Sequence, residues 1–312
     1  MTKVLVTGGC GFIGTNLISY LLDHSNWFIN VIDDFSEGKL KYLESIPNFH
    51  GRRVQVVEGD VREEEGVEEA INGCDHVVHL AAQTDVVSSI NAPFHNADVN
   101  IMGTINVLEA SLRHNVKKVC FASSAAAVGD HEPPVDESKL PMPISPYGTS
   151  KLAGEGYCSA YAGSHGISTA VLRFSNVYGP NSWHKGSVIA KFIKTIMDGK
   201  TPIIYGSGKQ TRDFVHAKDI AMAIHSTLKS DLPSSFEVFQ LGTGVETSVN
   251  ELYSVLEGKL EDVPEPTYAP QRAGEIYRNY CDIAKAQNIL GYEPRYDLEK
   301  GLDSTIEWFM KD

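Results

Sequence analysis

The sequence lacks the features of a membrane-spanning, disulfide-stabilised or nucleic-acid-binding protein. It contains no run of about 18 or more apolar residues, so we expect no membrane span. The five cysteines are scattered and odd in number, without CxxC or Cys/His metal spacing, which predicts free thiols, no metal site and a cytoplasmic location. The net charge of −13 disfavours nucleic-acid binding, because that function requires a basic surface.

The composition is that of a globular protein. The 312 residues are 42% hydrophobic and 21% charged, which is enough apolar material for one large or two smaller domains. No internal repeat or low-complexity tract interrupts the chain. The first residues already resemble a buried strand, so no signal peptide is expected.

The N-terminal stretch has the pattern of a dinucleotide-binding unit. A predicted strand leads into Gly8, Gly11 and Gly14, and an amphipathic helix follows. Glycines at this spacing allow a tight turn and a close approach of the backbone to a pyrophosphate at the helix N-terminus. The second predicted strand ends at Asp33, where a carboxylate can bind ribose hydroxyls and would repel a 2′-phosphate. This favours NAD over NADP.

Strands and helices then alternate along the chain. The alternation predicts an α/β protein with a doubly wound, parallel-sheet Rossmann fold and helices on both faces. Ligands of such sheets bind beyond the carboxyl ends of the strands, so residues that follow predicted strands should line one crevice. The predicted strands are 3–6, 28–32, 54–57, 76–80, 118–121 and 168–173, and the residues expected at the crevice are Gly8, Asp33, Asp60, Ala81, Ser124 and Asn176.

The pattern loosens in the C-terminal half, which predicts a second region. We expect an NAD-binding Rossmann domain over 1–176 and a smaller α/β domain over 177–312. The segment 214–241 contains a predicted helix and strand that are expected to rejoin the first domain. The stretch 183–185 is interpreted as a plain loop, with contact to a sugar or a phosphate as the alternative.

Tyr147 and Lys151 form a candidate acid/base pair. Four residues apart on a predicted helix, they lie one turn apart on the same face. Ser145 can cap this helix, and Pro146 suits its first turn. An ammonium group beside a phenol stabilises the phenolate and should lower its pKa from about 10. A solvated amphipathic face would explain the spacing alone, but the surrounding motifs favour acid/base chemistry.

Several blocks together resemble an extended short-chain dehydrogenase/reductase of the NAD-dependent sugar-nucleotide epimerase/dehydratase family, and most of all its UDP-glucose 4-epimerase branch. The resemblance covers nearly the whole chain. The blocks that carry it are TGGCGFIG (7–14), GD (59–60), HLAAQ (79–83), DVN (98–100), SS (123–124), YGTSK (147–151), NVYGP (176–180), QTRDF (210–214) and RAGE (272–275).

The resemblance implies how the cofactor is held. The three glycines would hold the NAD pyrophosphate, Asp33 the adenosine ribose, and Asp60 with Val61 the adenine. The other residues implied at the cofactor are Phe12, Ile13, Leu80, Ala81, Ala82, Asn100, Ser123, Tyr147 and Lys151.

The resemblance also implies the substrate site and the assembly. Tyr147 would be the general base, and Ser124 would share the proton of the substrate hydroxyl. Asn176, Arg212 and Arg272 would face the diphosphate of a nucleotide sugar, with a UDP-sugar expected, and the C-terminal region would bind it. Relatives pair two helices across a two-fold axis, so a homodimer is expected. Its outer apolar positions would include Ile105, Leu108, Tyr157 and Tyr161.

Departures from the family pattern indicate the reaction. Dehydratases carry an acid pair directly after the residue that matches Ser124, and decarboxylating members carry a glutamate at the second of these positions. This chain has Ala125 and Ala126, which cannot move protons. The remaining set of Tyr147, Lys151, Ser124 and NAD suffices for 4-epimerisation through a 4-keto intermediate. A sugar-nucleotide dehydrogenase, 4-ketoreductase or dehydratase, and a non-catalytic NAD-binding regulatory module, remain alternatives.

Three further positions bear on the sugar. Val128 replaces a usual tyrosine, and Ser88 replaces a common arginine, which predicts a shifted substrate preference. Asn279 matches the position whose bulk limits N-acetyl sugars in related epimerases, and its middle size predicts tolerance of an N-acetylhexosamine. UDP-glucose, UDP-galactose and their N-acetylhexosamine or uronate equivalents are the expected substrates.

Overall fold

The computed structural model describes residues 1–49, 52–183, 185–271 and 276–311. Its centre is a seven-stranded sheet in the order β11-β6-β5-β4-β1-β2-β3. The strands are β1 (Lys3–Thr7), β2 (Phe28–Asp33), β3 (Val54–Glu58), β4 (His76–His79), β5 (Lys118–Ser124), β6 (Ser168–Phe174), β7 (Asn176–Tyr178), β8 (Ile203–Tyr205), β9 (Thr211–Arg212), β10 (Phe214–His216), β11 (Phe236–Leu241), β12 (Thr247–Ser248) and β13 (Thr267–Ala269).

Helices cover both faces of the sheet, as the alternation predicts. They are α1 (Phe12–His24), α2 (Leu40–Glu44), α3 (Glu64–Ile71), α4 (Val86–Asn91), α5 (Pro93–Ala97), α6 (Gly103–Arg113), α7 (Ala125–Val128), α8 (Pro146–His165), α9 (Val188–Met197), α10 (Ala217–Lys229), α11 (Val249–Glu257), α12 (Ala284–Leu290) and α13 (Leu298–Lys311), with a π-helical turn at Asp98–Met102.

All neighbouring strands of the central sheet run parallel. Val6 of β1 is in register with Val31 of β2 on one side and with Val78 of β4 on the other. β11 lies beside β6 at one edge, with Phe239 opposite Leu172. Strands buried on both faces need continuous apolar runs, and this is the pattern from which the six N-terminal strands are predicted. The predicted doubly wound α/β fold is confirmed.

Two apolar layers enclose the sheet. On one face Leu17 of α1 and Ile224 of α10 belong to a buried cluster, and on the other face Val67 of α3 and Leu108 of α6 do so. Full burial of each such side chain stabilises the folded state by roughly 1.5–3 kcal/mol. Leu108 was expected at an outer position, but it is 1% exposed and packs in the core, so that expectation is wrong. The helical period places it on the inner stripe of α6.

A third apolar cluster lies in the C-terminal part of the chain. It joins Phe192 of α9, Leu252 of α11 and Phe309 of α13, away from the two layers of the central sheet. Within the described ranges, no helix is both long enough and apolar enough to cross a bilayer.

The helix that carries Tyr147 begins as its sequence predicts. The Ser145 hydroxyl accepts a hydrogen bond of 3.1 Å from the Gly148 amide, and Pro146 occupies the first turn of α8. The helix ends at Gly166, whose φ of +74° is the left-handed conformation that favours glycine.

The helix that contains Asn100 is long and irregular. Helix α5 continues through the π-helical turn into α6, so helical backbone runs from Pro93 to Arg113. Such π turns often occur at functional sites, because the extra residue turns a side chain away from the regular face. Here Asn100, at the centre of the turn, is 2% exposed.

Two buried histidines predict loss of stability in acid. His79 lies between the hydroxyls of Thr7 (2.7 Å) and Thr104 (3.0 Å), and His216 contacts the Ser304 hydroxyl (3.1 Å). Burial lowers the pKa of each to about 3. Unfolded histidine has a pKa of about 6.5, so below that pH the unfolded chain binds protons that the folded chain excludes.

The free energy of unfolding should therefore fall as pH falls from 6.5, by up to about 3 kcal/mol per histidine at pH 4.5. Urea unfolding between pH 8 and 4.5 measures this. A His79→Gln variant should flatten the pH dependence, whereas replacing the exposed His165 by Gln should not. An unchanged slope in His79→Gln would contradict the explanation.

Candidate active site

The glycine-rich turn after β1 leaves no room for side chains. Gly8 has φ of +65°, and a β-carbon there would lie 2.8 Å from the Ala81 nitrogen. A β-carbon on Gly14 would lie 2.5 Å from the Gly8 oxygen. Gly11 precedes α1, and no side chain caps the first amides of that helix. A bare backbone turn at a helix N-terminus fits the pyrophosphate of a dinucleotide.

Asp33 ties the end of β2 to this turn. Its carboxylate is 6% exposed and accepts hydrogen bonds from the Cys10 and Phe35 amides, both at 2.9 Å. Burial raises the pKa of Asp33, and the two amides oppose that shift. β2 is next to β1 in the sheet, so the carboxylate lies beside the glycine-rich turn, as a ribose ligand requires.

Asp60 and Val61 lie beyond β3, at the same edge of the sheet. The Arg62 Nε donates to both Asp60 oxygens, at 3.1 and 3.0 Å, and its Nη1 binds Asp98 at 2.8 Å. This hydrogen bonding holds the pKa of Asp60 below its usual range. The Val61 carbonyl accepts from Asn106 at 3.1 Å. Nothing in the sequence pattern indicates the Arg62 bridge, because it joins two acids 38 residues apart (98 − 60).

Asn100 joins the segment after β4 to the helix of Tyr147. Its oxygen accepts from the Gln83 amide at 2.8 Å, and its nitrogen donates to the Gln83 carbonyl at 3.0 Å and to the Ser150 hydroxyl at 2.9 Å. The Asn100 amide is thus occupied by protein partners, so it positions the segment expected at the nicotinamide. Spacing alone does not reveal this role, which depends on the π-helical turn.

The segment that Asn100 positions is also held from below. The Thr7 hydroxyl accepts from the Leu80 and Ala81 amides, at 3.2 and 3.1 Å. Leu80, Ala81 and Ala82 therefore follow β4 directly above β1. They are close to the glycine-rich turn, where a β-carbon on Gly8 would meet Ala81.

Tyr147, Ser124 and Lys151 come together at the carboxyl end of β5. Ser124 ends β5 and Tyr147 lies in the first turn of α8, and Ser124 acts on the Tyr147 phenol as a hydrogen-bonding group that lowers its pKa. Lys151 is 4% exposed; its ammonium donates to the Ala122 carbonyl at 2.9 Å and lies 5.1 Å from the centre of the Phe121 ring. Burial lowers the pKa of Lys151 to about 7, and the Lys185 ammonium acts in the same direction.

The expectation that Lys151 lowers the pKa of Tyr147 is not met by the protein alone. Burial raises the pKa of Tyr147, and the hydrogen bond from Ser124 opposes that rise. Burial also lowers the pKa of Lys151 to about 7, so its side chain carries only part of a positive charge near neutral pH.

Ser123, one residue before Ser124, faces the other way. Its hydroxyl donates to Glu155, which forms a bidentate pair with Arg173 at 2.9 and 2.7 Å. Successive side chains of a strand point to opposite faces, so only Ser124 reaches the phenol. Arg173 and Glu155 form a buried structural ion pair, since both side chains are at most 5% exposed.

The structure brings two of the predicted substrate residues together. Asn176 and Arg212 line one cleft of about 230 Å³ between the β7–β10 pair and α9, with Lys191 among the other lining residues. The β7 and β10 strands are parallel, with Asn176 opposite Phe214. Arg272 lies outside the described residues.

The fold and the site together define a class. A parallel sheet with a glycine-rich turn after β1, an acid after β2, and a tyrosine–lysine pair beside a serine is the architecture of the short-chain dehydrogenase/reductases. Within that class, the family model described as GDP-mannose 4,6 dehydratase matches residues 5–305. The chain belongs to this family, as an NAD-dependent sugar-nucleotide epimerase/dehydratase of the extended type, which confirms the resemblance seen in the sequence.

Relatives match over nearly their full length. The UDP-glucose 4-epimerase of Mycolicibacterium smegmatis is 33% identical over 98% of both chains. The structure of the Thermus thermophilus UDP-glucose 4-epimerase complex with NAD has a TM-score of 0.89 and 31% identity over 99% of both. The structure of the UDP-N-acetylglucosamine 4-epimerase from Methanobrevibacter ruminantium, in complex with UDP-N-acetylmuramic acid, has a TM-score of 0.93 and 31% identity. It covers 99% of this chain and 98% of its own.

Proposed function

We propose that the protein interconverts C4 epimers of a UDP-hexose through a 4-keto intermediate, with NAD as its cofactor. The observation that carries the proposal is the placement of Ser124 at the end of β5, beside the start of the helix that carries Tyr147 and buried Lys151. Ser124 is followed directly by two alanines. This set can remove and return one proton but contains no second acid for elimination.

In this proposal the protein moves a single proton at the 4-hydroxyl. Bound NAD would supply the acceptance and return of a hydride at C4. Tyr147 takes the hydroxyl proton as general base, with Ser124 hydrogen-bonded to the same oxygen. Lys151 holds positive charge beside the phenolate. After the 4-keto sugar has turned its other face, Tyr147 returns the proton, so the reaction has no net redox change.

The roles of the other site residues are assigned from the family resemblance, and the positions of the described residues support them. Gly8, Gly11 and Gly14 would hold the NAD pyrophosphate, Asp33 the adenosine ribose, and Asp60 with Val61 the adenine. Leu80, Ala81 and Ala82, positioned by Asn100, would line the nicotinamide side; Phe12, Ile13 and Ser123 would contribute backbone or packing. Asn176 and Arg212 would bind the sugar-nucleotide diphosphate from their common cleft, together with Arg272.

The two alanines separate this function from the second candidate, dehydration. The Ala126 amide donates to the Ser124 hydroxyl at 3.2 Å, which places the short helix α7 against the reacting centre. An acid at this position would reach a sugar there, and methyl groups cannot transfer protons. We infer that a keto sugar formed in this site can only be reduced again.

We also propose a homodimer and a two-part division of labour. Phe94 (91% exposed), Met102 (50%) and Tyr157 (38%) are large apolar side chains on α5, the π-helical turn and α8. Burial of these side chains against a second copy would explain their exposure. Sedimentation should give twice the chain mass of 34.2 kDa, and a monomer at micromolar concentration would contradict the dimer.

The two parts of the chain would bind different ligands. The region 1–176 with 214–241 would bind NAD, and 177–312 would bind the nucleotide sugar.

One assay separates the candidate functions. The purified protein is incubated with UDP-glucose, UDP-galactose, UDP-N-acetylglucosamine and UDP-glucuronate, and the products are resolved by chromatography while NADH absorbance is followed. Epimerisation gives the C4 epimer at constant absorbance. A net change in NADH indicates a dehydrogenase or ketoreductase, a 4-keto-6-deoxy sugar indicates a dehydratase, and no turnover favours a regulatory module. Turnover of the acetylated sugar would support the prediction from Asn279, and its absence would refute it.

A further inference from the structure

Lys185 reaches across the carboxyl edge of the sheet from the C-terminal part of the chain. It lies between β7 and α9, in the stretch interpreted from sequence as a plain loop. Its ammonium nevertheless donates a hydrogen bond of 2.9 Å to the hydroxyl of Thr84, which follows β4. Thr84 comes directly after Gln83, the residue whose backbone Asn100 holds.

The backbone around Lys185 is anchored beside the glycine-rich turn. Asn16 of α1 donates to the Pro180 carbonyl at 2.9 Å, which attaches the start of the segment to the helix that follows the turn. The Lys194 ammonium donates to the Trp183 carbonyl at 2.7 Å and to the Lys185 carbonyl at 3.2 Å. These contacts join α1 and α9 through the segment that carries Lys185.

The Thr84 contact gives the place of the ammonium in the fold. Thr84 follows β4, which is next to β1 in the sheet, and the glycine-rich turn starts at the end of β1. The charges of Glu37, after β2, and Asp85, after β4, oppose the lowering of the Lys185 pKa that burial causes, and the Lys185 charge in turn lowers the pKa of Lys151.

The Lys185 ammonium is bound by a neutral group. Among the residues that the structure describes, the hydrogen-bond partner of the Lys185 ammonium is a neutral hydroxyl, and no carboxylate lies within ion-pair distance. One oxygen of the Asp85 carboxylate accepts from both the amide and the hydroxyl of Ser88. A half-buried ammonium whose partner is a neutral hydroxyl favours an anionic ligand, because the anion balances its charge.

We propose that Lys185 binds the diphosphate of bound NAD, on the side opposite the amides of the glycine-rich turn. The inference rests on the proposed NAD site. A diphosphate could come from the cofactor or from the sugar nucleotide. Gly186 and Ser187 line the cleft of Asn176 and Arg212, but Lys185 does not, and its contact with Thr84 beyond β4 favours the cofactor. The consequence is retention: an epimerase must keep its reduced cofactor until the hydride returns, and Lys185 closes the route by which NAD leaves.

The test measures NAD release from the holoenzyme. Protein purified with NAD is passed through gel filtration at low and high salt, and retained NAD is quantified by chromatography over time. Lys185→Gln should release NAD at least 10-fold faster at low salt, with a weaker salt dependence than the unaltered protein, and Lys185→Arg should restore retention. Lys200→Gln is the control, because Lys200 is exposed and pairs with Asp198 at 2.9 Å.

A second arm identifies the source of the diphosphate. Binding of UDP, the probe for the sugar-nucleotide site, should be unchanged in Lys185→Gln, and circular dichroism should show an unchanged melting temperature. Weakened UDP binding with normal NAD release would overturn the assignment to the cofactor, and no change in either would overturn the role of Lys185 altogether. If the unaltered protein neither carries nor binds NAD, the proposed function itself fails, which is a different result.

Discussion

Tyr147→Phe is expected to lower kcat for 4-epimerisation by about 10³- to 10⁴-fold, the upper part of the range for loss of a general acid/base. The phenol is the group whose pKa Ser124 lowers, and phenylalanine removes the phenol oxygen while keeping the ring. NAD retention and UDP binding should change less than about threefold, since neither needs the proton. Initial rates at saturating UDP-sugar, with bound NAD quantified, measure the effect.

Tyr157→Phe is the matched control for this variant. Tyr157 lies on the same helix, is 38% exposed and should retain full kcat. Loss of activity in Tyr157→Phe equal to that in Tyr147→Phe would indicate a general disturbance of α8. Retention of more than about a tenth of kcat in Tyr147→Phe would remove Tyr147 from the role of base.

The second large effect is expected for Lys151→Met. Methionine fills the space over Phe121 but removes the ammonium that donates to the Ala122 carbonyl. Without that charge the Tyr147 phenolate is harder to form, because burial already raises its pKa. We expect kcat to fall by about 10²-fold and the acid limb of the kcat/KM profile, which reports deprotonation of the general base, to move up by about one pH unit.

The pH profile distinguishes a catalytic charge from a packing defect. Lys151 has a pKa of about 7, so in the unaltered protein its positive charge is lost as pH rises through neutrality. Rates measured from pH 5.5 to 10 should therefore fall as pH rises above about 7 in the unaltered protein, and Lys151→Met should lack this fall. Replacement of the exposed Lys117, which pairs with Asp75 at 2.7 Å, by Met should change neither rate nor profile. An unshifted profile in Lys151→Met would exclude an electrostatic role.

Features that depend on residues close together in the chain could be predicted from the sequence alone. The apolar runs of β1, β2 and β4 predict buried parallel strands, because only residues that suit both faces of such a sheet form continuous runs. Ser145 and Pro146 predict the start of α8, because the cap is a contact between residues three positions apart. The order of the motifs along the chain likewise indicates the enzyme family without the fold.

Contacts between distant segments were not accessible in this way. Leu108 was expected on an outer face and packs in the core, because the inner stripe of α6 is set by its rotation against the sheet. The π-helical turn that directs Asn100 to Gln83 and Ser150 has no short sequence signature. Arg62 and Lys185 resemble ordinary surface cations in the sequence, and only their partners distinguish them.

The sequence by itself determined most of the elements and the candidate reacting groups: the glycine turn, Asp33, Ser124 and the Tyr147–Lys151 pair, with alanines where elimination would need acids. Tertiary structure decided where these groups lie and how their pKa values shift. The strand order brings the ends of β1, β2, β4 and β5 to one edge, and burial lowers the pKa of Lys151 while raising that of Tyr147. The physical reason is that backbone preference is local, whereas desolvation and charge depend on segments that meet only in the folded chain.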